Sequence, residues 1–160
     1  MICSNILLGN NVYIDPSSSI NNVRFGNRCK VAKNCSIYGS SQYVLSIGDD
    51  CYIGMNSIIN GFSQQITIGN NVSIAQNVNL MADSGPNMST VLQKLFPIEK
   101  FPIIIGNDCW IGAGAVLLPG TILSDRCIVG ANSVVRGEFV KGSIIVGAMA
   151  KAIRIENYDI

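Results

Sequence analysis

The chain has 160 residues, of which 48% are hydrophobic and 13% charged, with 11 basic against 10 acidic side chains. This length suits one domain, and the hydrophobic content argues against a disordered chain. The near-zero net charge argues against a nucleic-acid binder that neutralises phosphates. The apolar runs are too short to cross a bilayer, and residues 1–5 lack the basic region of a secretory signal. We therefore predict a soluble, cytoplasmic protein with no nucleic-acid partner and no membrane insertion.

An apolar residue returns every six positions along most of the chain. In chain order the series are Leu8, Ile14 and Ile20; Phe25, Val31 and Ile37; Ile47, Ile53 and Ile59; Ile68, Ile74 and Leu80; and Ile105, Ile111, Leu117, Leu123, Val129 and Val135. Neither an amphipathic helix nor an ordinary hairpin sheet has this period. A short strand followed by a corner does, so three hexads predict one triangular coil of a parallel β-helix, with the periodic residue pointing inward.

The position four residues after a periodic residue is also predicted to face the interior, because its side chains are small. Its occupants are Cys29, Cys35, Cys51, Ser57, Val72, Val78, Cys109, Ala115, Thr121, Cys127 and Ser133. Five of the six cysteines are thus predicted to be core residues, since a buried free thiol packs as a small hydrophobe. The chain has no histidine and no CxxC pair, so we predict no metal site.

The repeat breaks between Leu80 and Ile105. Residues 81–104 are predicted to form one long loop that contains a short helix over residues 89–96. Loops of this length inside a compact domain are often functional. A smaller insertion is predicted at residues 60–65.

The fold predicted for residues 1–160 is a single all-β domain. Coils span about 8–80 and 105–140 and make about six turns. The last segment, residues 141–160, lacks the six-residue period.

The run from Ile105 to Gly120, IGNDCWIGAGAVLLPG, resembles the signature of hexapeptide-repeat acyltransferases. Residues 129–135 and 146–154 are similar to the closing motifs of that family. The order of motifs resembles the branch of galactoside, maltose and nodulation-factor acetyltransferases and capsule or lipopolysaccharide O-acetyltransferases. The resemblance covers residues 8–155. It implies a left-handed parallel β-helix, a homotrimer, and active sites shared between neighbouring subunits.

The resemblance also implies acetyl-CoA as cosubstrate and a small acceptor, a sugar of a surface polysaccharide pathway. Ala113 and Ala131 match positions where the pantetheine arm approaches the helix edge, although small corner residues need no ligand to explain them. Lys151 and Arg154 match positions near the coenzyme phosphates, where a cation offsets their charge. They are equally compatible with plain surface cations.

Two further residues are implied to contact the acceptor. Trp110 is the single tryptophan and is predicted to point outward, where an indole face packs on the apolar face of a sugar. Packing in the trimer interface is the alternative for Trp110. Asn56 or Ser57 aligns near a family asparagine that contacts the acceptor, in an alignment that crosses the insertion at residues 60–65.

The family's O-acetyltransferases use a histidine base, and this chain has none. The matching position is Gly85, followed by Pro86 as in the family. Three hypotheses remain. Asp83 could act as the base, with Ser84 or Asn87 positioning the acceptor. The acceptor could be an amine, as in amino-sugar N-acetyltransferases, which needs no prior deprotonation. The scaffold could also be non-catalytic and only bind.

Overall fold

The computed structural model describes residues 3–156; residues 1, 2 and 157–160, which include the end of the predicted 141–160 segment, lie outside the described part. Short strands wind as a left-handed parallel β-helix of about six turns with a triangular cross-section. This confirms the fold class predicted from the six-residue period.

Each coil contributes one strand to each of three faces. The first face contains β5 (Ser36–Tyr38), β8 (Ile58–Asn60), β11 (Asn79–Met81), β16 (Val116–Leu117) and β19 (Val134–Val135). The second face contains β6 (Leu45–Ile47), β9 (Ile66–Ile68), β14 (Ile103–Ile105), β17 (Ile122–Leu123) and β20 (Glu138–Phe139). Two longer strands run across both of these faces and join them into one sheet: β1 (Cys3–Leu8) and β3 (Ser19–Phe25).

The third face is a separate sheet of eight strands. It contains β2 (Tyr13–Ile14), β4 (Lys30–Val31), β7 (Tyr52–Ile53), β10 (Ser73–Ile74), β15 (Trp110–Ile111), β18 (Ile128–Val129), β21 (Ser143–Val146) and β22 (Lys151–Ile155). All neighbours in this sheet pair in parallel except β22, which folds back antiparallel to β21. The parallel ladder therefore extends to Val146, beyond the end near residue 140 that the sequence predicted.

The long loop leaves the coils after β11. It forms an antiparallel pair, β12 (Asp83–Ser84) with β13 (Glu99–Lys100), on either side of the helix α1 (Thr90–Leu95). Ser89 caps α1, because its Oγ accepts a hydrogen bond from the Leu92 N–H at 3.2 Å. The predicted short helix is thus confirmed. No helix in the described part of the chain is long and apolar enough to cross a membrane.

The core of the prism is built from the periodic residues. From Ile20 to Val135 all of them are buried, and full burial of such a side chain contributes roughly 1.5–3 kcal/mol. Two predicted members differ: Leu8 is 54% exposed and Ile14 is half-buried. Both belong to the first coil, which has a described neighbour on one side only, so their inward positions remain open at the other side.

The small interior residues are buried as predicted, and most of them also donate hydrogen bonds. Ser57 Oγ donates to the Ala75 carbonyl at 3.1 Å, and Thr121 Oγ1 donates to the Val135 carbonyl at 3.0 Å. The Cys29 thiol lies 3.0 Å from the Gly48 carbonyl. No buried side-chain nitrogen or oxygen among the described residues lacks a partner. Hydroxyl and thiol groups therefore satisfy carbonyls at the corners of the next coil.

The edge between the second and third faces carries a ladder of amides and carboxylates. In this ladder edge, the backbone N–H of each residue donates to the side-chain Oδ1 of the equivalent residue one coil later, at 2.7–2.9 Å. The five bonds join, in order, Asn10, Asn27, Asp49, Asn70, Asn107 and Asp125. The hydrogen bonds that the Asn27 backbone and side chain donate to the Asp49 carboxylate lower the pKa of Asp49. The glycines before the ladder residues let adjacent coils approach closely.

Gly69 tests this close approach. A Cβ there would lie 2.8 Å from the carbonyl carbon of Gly106 and 2.7 Å from Oδ1 of Asn107, closer than side chains pack. We expect Gly69→Ala to lower the free energy of unfolding by about 1–3 kcal/mol, measured by urea denaturation. Gly61→Ala is the matched control, because its Cβ would have no neighbour nearer than 3.4 Å. Equal stability of the two variants would contradict the described packing of the ladder edge.

Candidate active site

The first group of candidate residues lies at the edge between the first and second faces, here called the loop edge. Asp83 is half-buried in β12, and its Oδ1 accepts a hydrogen bond from Asn60 Nδ2 at 3.4 Å. Asn60 is in turn held by the Phe62 N–H, which donates to its Oδ1 at 3.1 Å. Tyr38 is the register partner of Asn60 on the preceding strand of the first face. Burial raises the pKa of the Tyr38 phenol, and the charge of Asp83 raises it further.

Tyr38 and Asn60 were not among the residues predicted from sequence. Each stands immediately after an inward residue of the first face, Ile37 and Ile59, which is the signal that would have found them. Together with Asp83 they place a phenol, an amide and a carboxylate on successive coils. Such a cluster can bind and orient a hydroxyl- or amine-bearing acceptor.

The other loop residues are more exposed. Ser84 is exposed and pairs with Glu99 in the β12–β13 ladder. Asn87 is also exposed, and its carbonyl accepts a hydrogen bond from Gln93 Nε2 at 2.9 Å. The loop is tied to the coils by the ion pair of Glu99 with Arg136 at 2.9 Å.

Gly85, which matches the histidine position of the family, has no room for a side chain. A Cβ at this position would lie 2.8 Å from Cα and 2.9 Å from Cγ1 of Ile98. An imidazole at residue 85 would displace the returning strand of the loop. The loop as packed here therefore accommodates glycine at residue 85 and not a histidine.

A second group of candidate residues lies at the edge between the third and first faces. At this edge, here called the Ala113 edge, backbone hydrogen bonds link successive coils along Lys33, Met55, Gln76, Ala113 and Ala131. Ala113 is half-buried and Ala131 is exposed. Trp110 lies beside them in β15, and its side chain is 54% exposed, which confirms that it points out of the prism.

Asn56 also lies at the Ala113 edge, but its residue type has a backbone explanation. It is exposed, and its φ of 60° is left-handed. The same corner position is left-handed in every coil from the second onward, at Asn34, Asn77, Gly114 and Asn132. Asparagine and glycine tolerate this conformation better than other residues do. The corner alone therefore accounts for Asn56.

Lys151 and Arg154 lie on β22, and both are exposed. Lys151 pairs with Val146. Val146 ends β21, and the residue that follows it, Gly147, lies at the Ala113 edge one coil beyond Ala131. Arg154 forms an ion pair with Glu156, whereas Lys151 has no ion pair within residues 3–156. Lys151 is therefore the more available cation for an anionic group that follows this edge.

The two groups of residues do not meet within one chain. Asn77 at the Ala113 edge and Met81 at the loop edge are four positions apart across the first face, which corresponds to about 13 Å at the usual rise of a strand. Groups that act on one reacting atom lie about 3 Å from it. Asp83 of one chain thus cannot reach an acceptor that lies against the Ala113 edge of the same chain.

A groove on the third face was not predicted from sequence. This tyrosine groove has a volume of about 560 Å³ and is lined by Tyr13, Asp15, Lys30, Lys33, Tyr52 and Met55. Its residues occur on the outer side of three successive coils. Their spacings of 17 and 22 residues follow the coil length, which varies with insertions and hides the pattern.

The cysteines form no site of their own. Cys29, Cys35, Cys51, Cys109 and Cys127 are buried and unbridged. Burial raises the pKa of Cys51 to about 11, which keeps the thiol protonated and unreactive. Residues 3–156 contain no group of three acidic or cysteine side chains that could hold a metal ion.

Two family models match the chain. The model described as bacterial transferase hexapeptide (six repeats) matches residues 102–137, and the model described as hexapeptide repeat of succinyl-transferase matches residues 44–82. The two matches lie on either side of the long loop.

Several curated relatives are sugar-related acyltransferases. Galactoside O-acetyltransferase of Escherichia coli (strain K12) is 35% identical over 118 residues, which are 73% of this chain and 55% of the relative. The putative colanic acid biosynthesis acetyltransferase WcaF of the same strain is 30% identical over 130 residues, 78% of this chain and 68% of the relative. The Escherichia coli dTDP-4-amino-4,6-dideoxy-D-glucose acyltransferase is 28% identical over 155 residues, which are 91% of this chain and 80% of the relative. The chain spans only 37–55% of the length of galactoside O-acetyltransferase and two other acetyltransferases that it matches.

Solved structures share the fold. AntD, an N-acyltransferase from Bacillus cereus in complex with dTDP and 3-hydroxybutyryl-CoA, has a TM-score of 0.82 at 21% identity, over 96% of this chain and 84% of AntD. Galactoside acetyltransferase in complex with coenzyme A has a TM-score of 0.61 at 25% identity, over 94% and 65%. The six-residue repeat, the β-helix, the family models and the 30%-identical relative covered over 68% of its length agree: the chain belongs to the hexapeptide-repeat acyltransferase family.

Proposed function

We propose that this protein transfers an acetyl or other short acyl group from acyl-CoA to a sugar. The observation that carries this proposal is the end of the Ala113 edge, where two small residues on successive coils, Ala113 and Ala131, are followed by the cation Lys151. Ala113 and Ala131 leave the backbone accessible to the pantetheine arm. Lys151 stands beside the following coil, where its positive charge would offset that of a phosphate. Because acetyl-CoA is a cytoplasmic metabolite, we assign the reaction to the cytoplasm.

The reaction is a direct transfer with no acyl-enzyme, because the five interior cysteines are buried, out of reach of an acyl donor on the surface. The acceptor lone pair attacks the thioester carbonyl carbon and forms a tetrahedral intermediate. When this collapses, the carbon–sulfur bond breaks and coenzyme A leaves as the thiolate. The proton lost by the acceptor passes to the Asp83 carboxylate and then to the thiolate or to water.

An amino sugar is the acceptor that suits this site best. Gly85 packs against Ile98 where the family's base would stand, and the chain has no histidine. An unprotonated amine attacks a thioester without prior deprotonation, so a carboxylate suffices to accept its proton after attack. The match to a dTDP-amino-sugar acyltransferase over 91% of this chain supports the same acceptor class.

A sugar hydroxyl is the second candidate. The identity of 35% to galactoside O-acetyltransferase favours it. The match to a putative colanic acid biosynthesis acetyltransferase supports a role in polysaccharide synthesis. A neutral hydroxyl is a weaker nucleophile than an unprotonated amine, so its attack would depend more strongly on Asp83. Rates with matched amino and hydroxyl sugars therefore decide between the two candidates.

We further propose a homotrimer with active sites formed between neighbouring subunits. The 13 Å between the two edges of one chain supports this, since Asp83 must act on an acceptor beside the Ala113 edge. The loop also exposes apolar side chains on a helix that buries none of its own residues: Val91, Leu92 and Leu95. Packing the loop of one subunit against the Ala113 edge of the next would cover them and complete the site.

The Ala131→Trp substitution tests the coenzyme surface. Ala131 is exposed, so the indole obstructs the edge without entering the core. We expect the affinity for coenzyme A, measured by calorimetric titration, to fall by about tenfold or more. Thr67→Trp, on the exposed outer side of the second face, is the control and should bind as wild type does. Unchanged binding by Ala131→Trp would remove the coenzyme from this edge.

The Asp83→Asn substitution tests the proton acceptor. The amide preserves the size of the side chain, so thermal stability should change little. We expect kcat to fall by about 10²-fold or more, since general bases contribute roughly 10²–10⁴-fold. Asn87→Ala should reduce kcat less, and Glu138→Gln on the second face should leave it unchanged. Full activity of Asp83→Asn would disprove the assignment of the base.

A further inference from the structure

The tyrosine groove combines aromatic rings with cations. Tyr13 and Tyr52 stand in register on either side of Lys30, so their backbones lie two strand spacings apart, about 9.5 Å. Both rings are substantially exposed, at 52% and 39%. An exposed ring of this kind offers a stacking surface for a planar base.

The groove is also suited to an anion. Lys30 and Lys33 are both exposed, and neither forms an ion pair within residues 3–156. One carboxylate, Asp15, faces them and offsets part of their charge. Its Oδ1 is occupied by the Ser17 N–H and Oγ at 3.0 and 2.7 Å, which lowers the pKa of Asp15 and keeps it ionised. Its Oδ2 has only a long contact with the Tyr13 hydroxyl, at 3.5 Å, and can accept a further hydrogen bond.

Ring surfaces, two lysines and a free carboxylate oxygen match the parts of a nucleotide. We propose that the tyrosine groove binds the nucleoside diphosphate part of an activated sugar, which is the acceptor of the acyl transfer. The base stacks on a tyrosine ring, a furanose hydroxyl donates to Asp15 Oδ2, and the diphosphate lies against Lys30 and Lys33. This inference rests on the proposed function and names its substrate class.

The position of the groove along the Ala113 edge agrees with this arrangement. Met55 and Lys33 lie two and three coils from Ala113, about 10 and 14 Å, on the side away from Ala131 and Lys151. The coenzyme and the acceptor thus extend in opposite directions from Trp110. The coil of Ser73 and Gln76 lies between, with room for the sugar on which acyl transfer occurs.

A charged polysaccharide chain fits the third face less well. Beyond Trp110 the outward positions of β18 and β21 are aliphatic, at Ile128 and Ile144, and the two cations of the groove, Lys30 and Lys33, both belong to the coil of β4. A ligand that is anionic at one end and stacks within a short groove is favoured. The volume of about 560 Å³ lies within the range of small-molecule sites.

The test is calorimetric titration of the full chain with dTDP, first alone and then in the presence of saturating coenzyme A. We expect dTDP to bind with similar affinity in both experiments, because the two sites are distinct. Thymidine and inorganic pyrophosphate are expected to bind at least about tenfold more weakly, since each lacks one half of the contacts. Displacement of dTDP by coenzyme A would overturn the proposal, as would pyrophosphate binding equal to dTDP.

Substitutions locate the binding. Tyr52→Ala and Lys33→Met are each expected to weaken dTDP binding by about tenfold and to leave coenzyme A binding unchanged. Lys141→Met, at an exposed turn after β20, is the matched control. Wild-type affinity of both groove variants, or preferential binding of an acidic oligosaccharide, would refute the assignment. If the wild-type chain does not bind coenzyme A, the proposed function is refuted instead.

Discussion

Backbone hydrogen bonding between coils in strict register is the interaction on which the rest of this structure depends. Each short strand is stable only because its N–H and C=O groups pair with the coils on either side. Register fixes which side chains stack, so aliphatic residues fill one interior column while hydroxyl and thiol residues fill another. The amides of the ladder edge extend the pairing to the corners, where the ladder between strands is interrupted.

The same register determines the surface. Side chains with no role in the interior are aligned in columns along faces and edges, one residue for each strand spacing. A ligand that follows the Ala113 edge therefore meets a fixed order of Lys33, Met55, Gln76, Ala113 and Ala131. In the proposed mechanism this order aligns acceptor and acyl donor end to end. The width of the first face separates them from Asp83, so in the same proposed mechanism a second chain supplies the proton acceptor.

The periodic core was predictable because six-residue repetition is visible in the sequence without knowledge of coil length. Trp110 was placed correctly for the same reason, since it adjoins an inward isoleucine. The tyrosine groove was not predictable, because Tyr13, Lys30 and Tyr52 become neighbours only once unequal coils are stacked. The outer coils also differed from expectation: Leu8 is exposed for lack of a described neighbour on one side, and the ladder continues to Val146. At Asn56 the left-handed corner explains the residue type without a ligand, and its predicted contact with the acceptor stays a prediction.

Mixing two inactive variants tests the central claim most directly, namely that one site takes Asp83 from one chain and the Ala113 edge from its neighbour. Asp83→Asn and Ala131→Trp chains would be unfolded together, refolded and assayed at limiting acetyl-CoA. The account predicts recovery of about a quarter of wild-type activity, the fraction of interfaces that pair two intact halves in a randomly mixed cyclic assembly. Activity no higher than that of either variant alone, in an assembly shown to contain both chains, would contradict it.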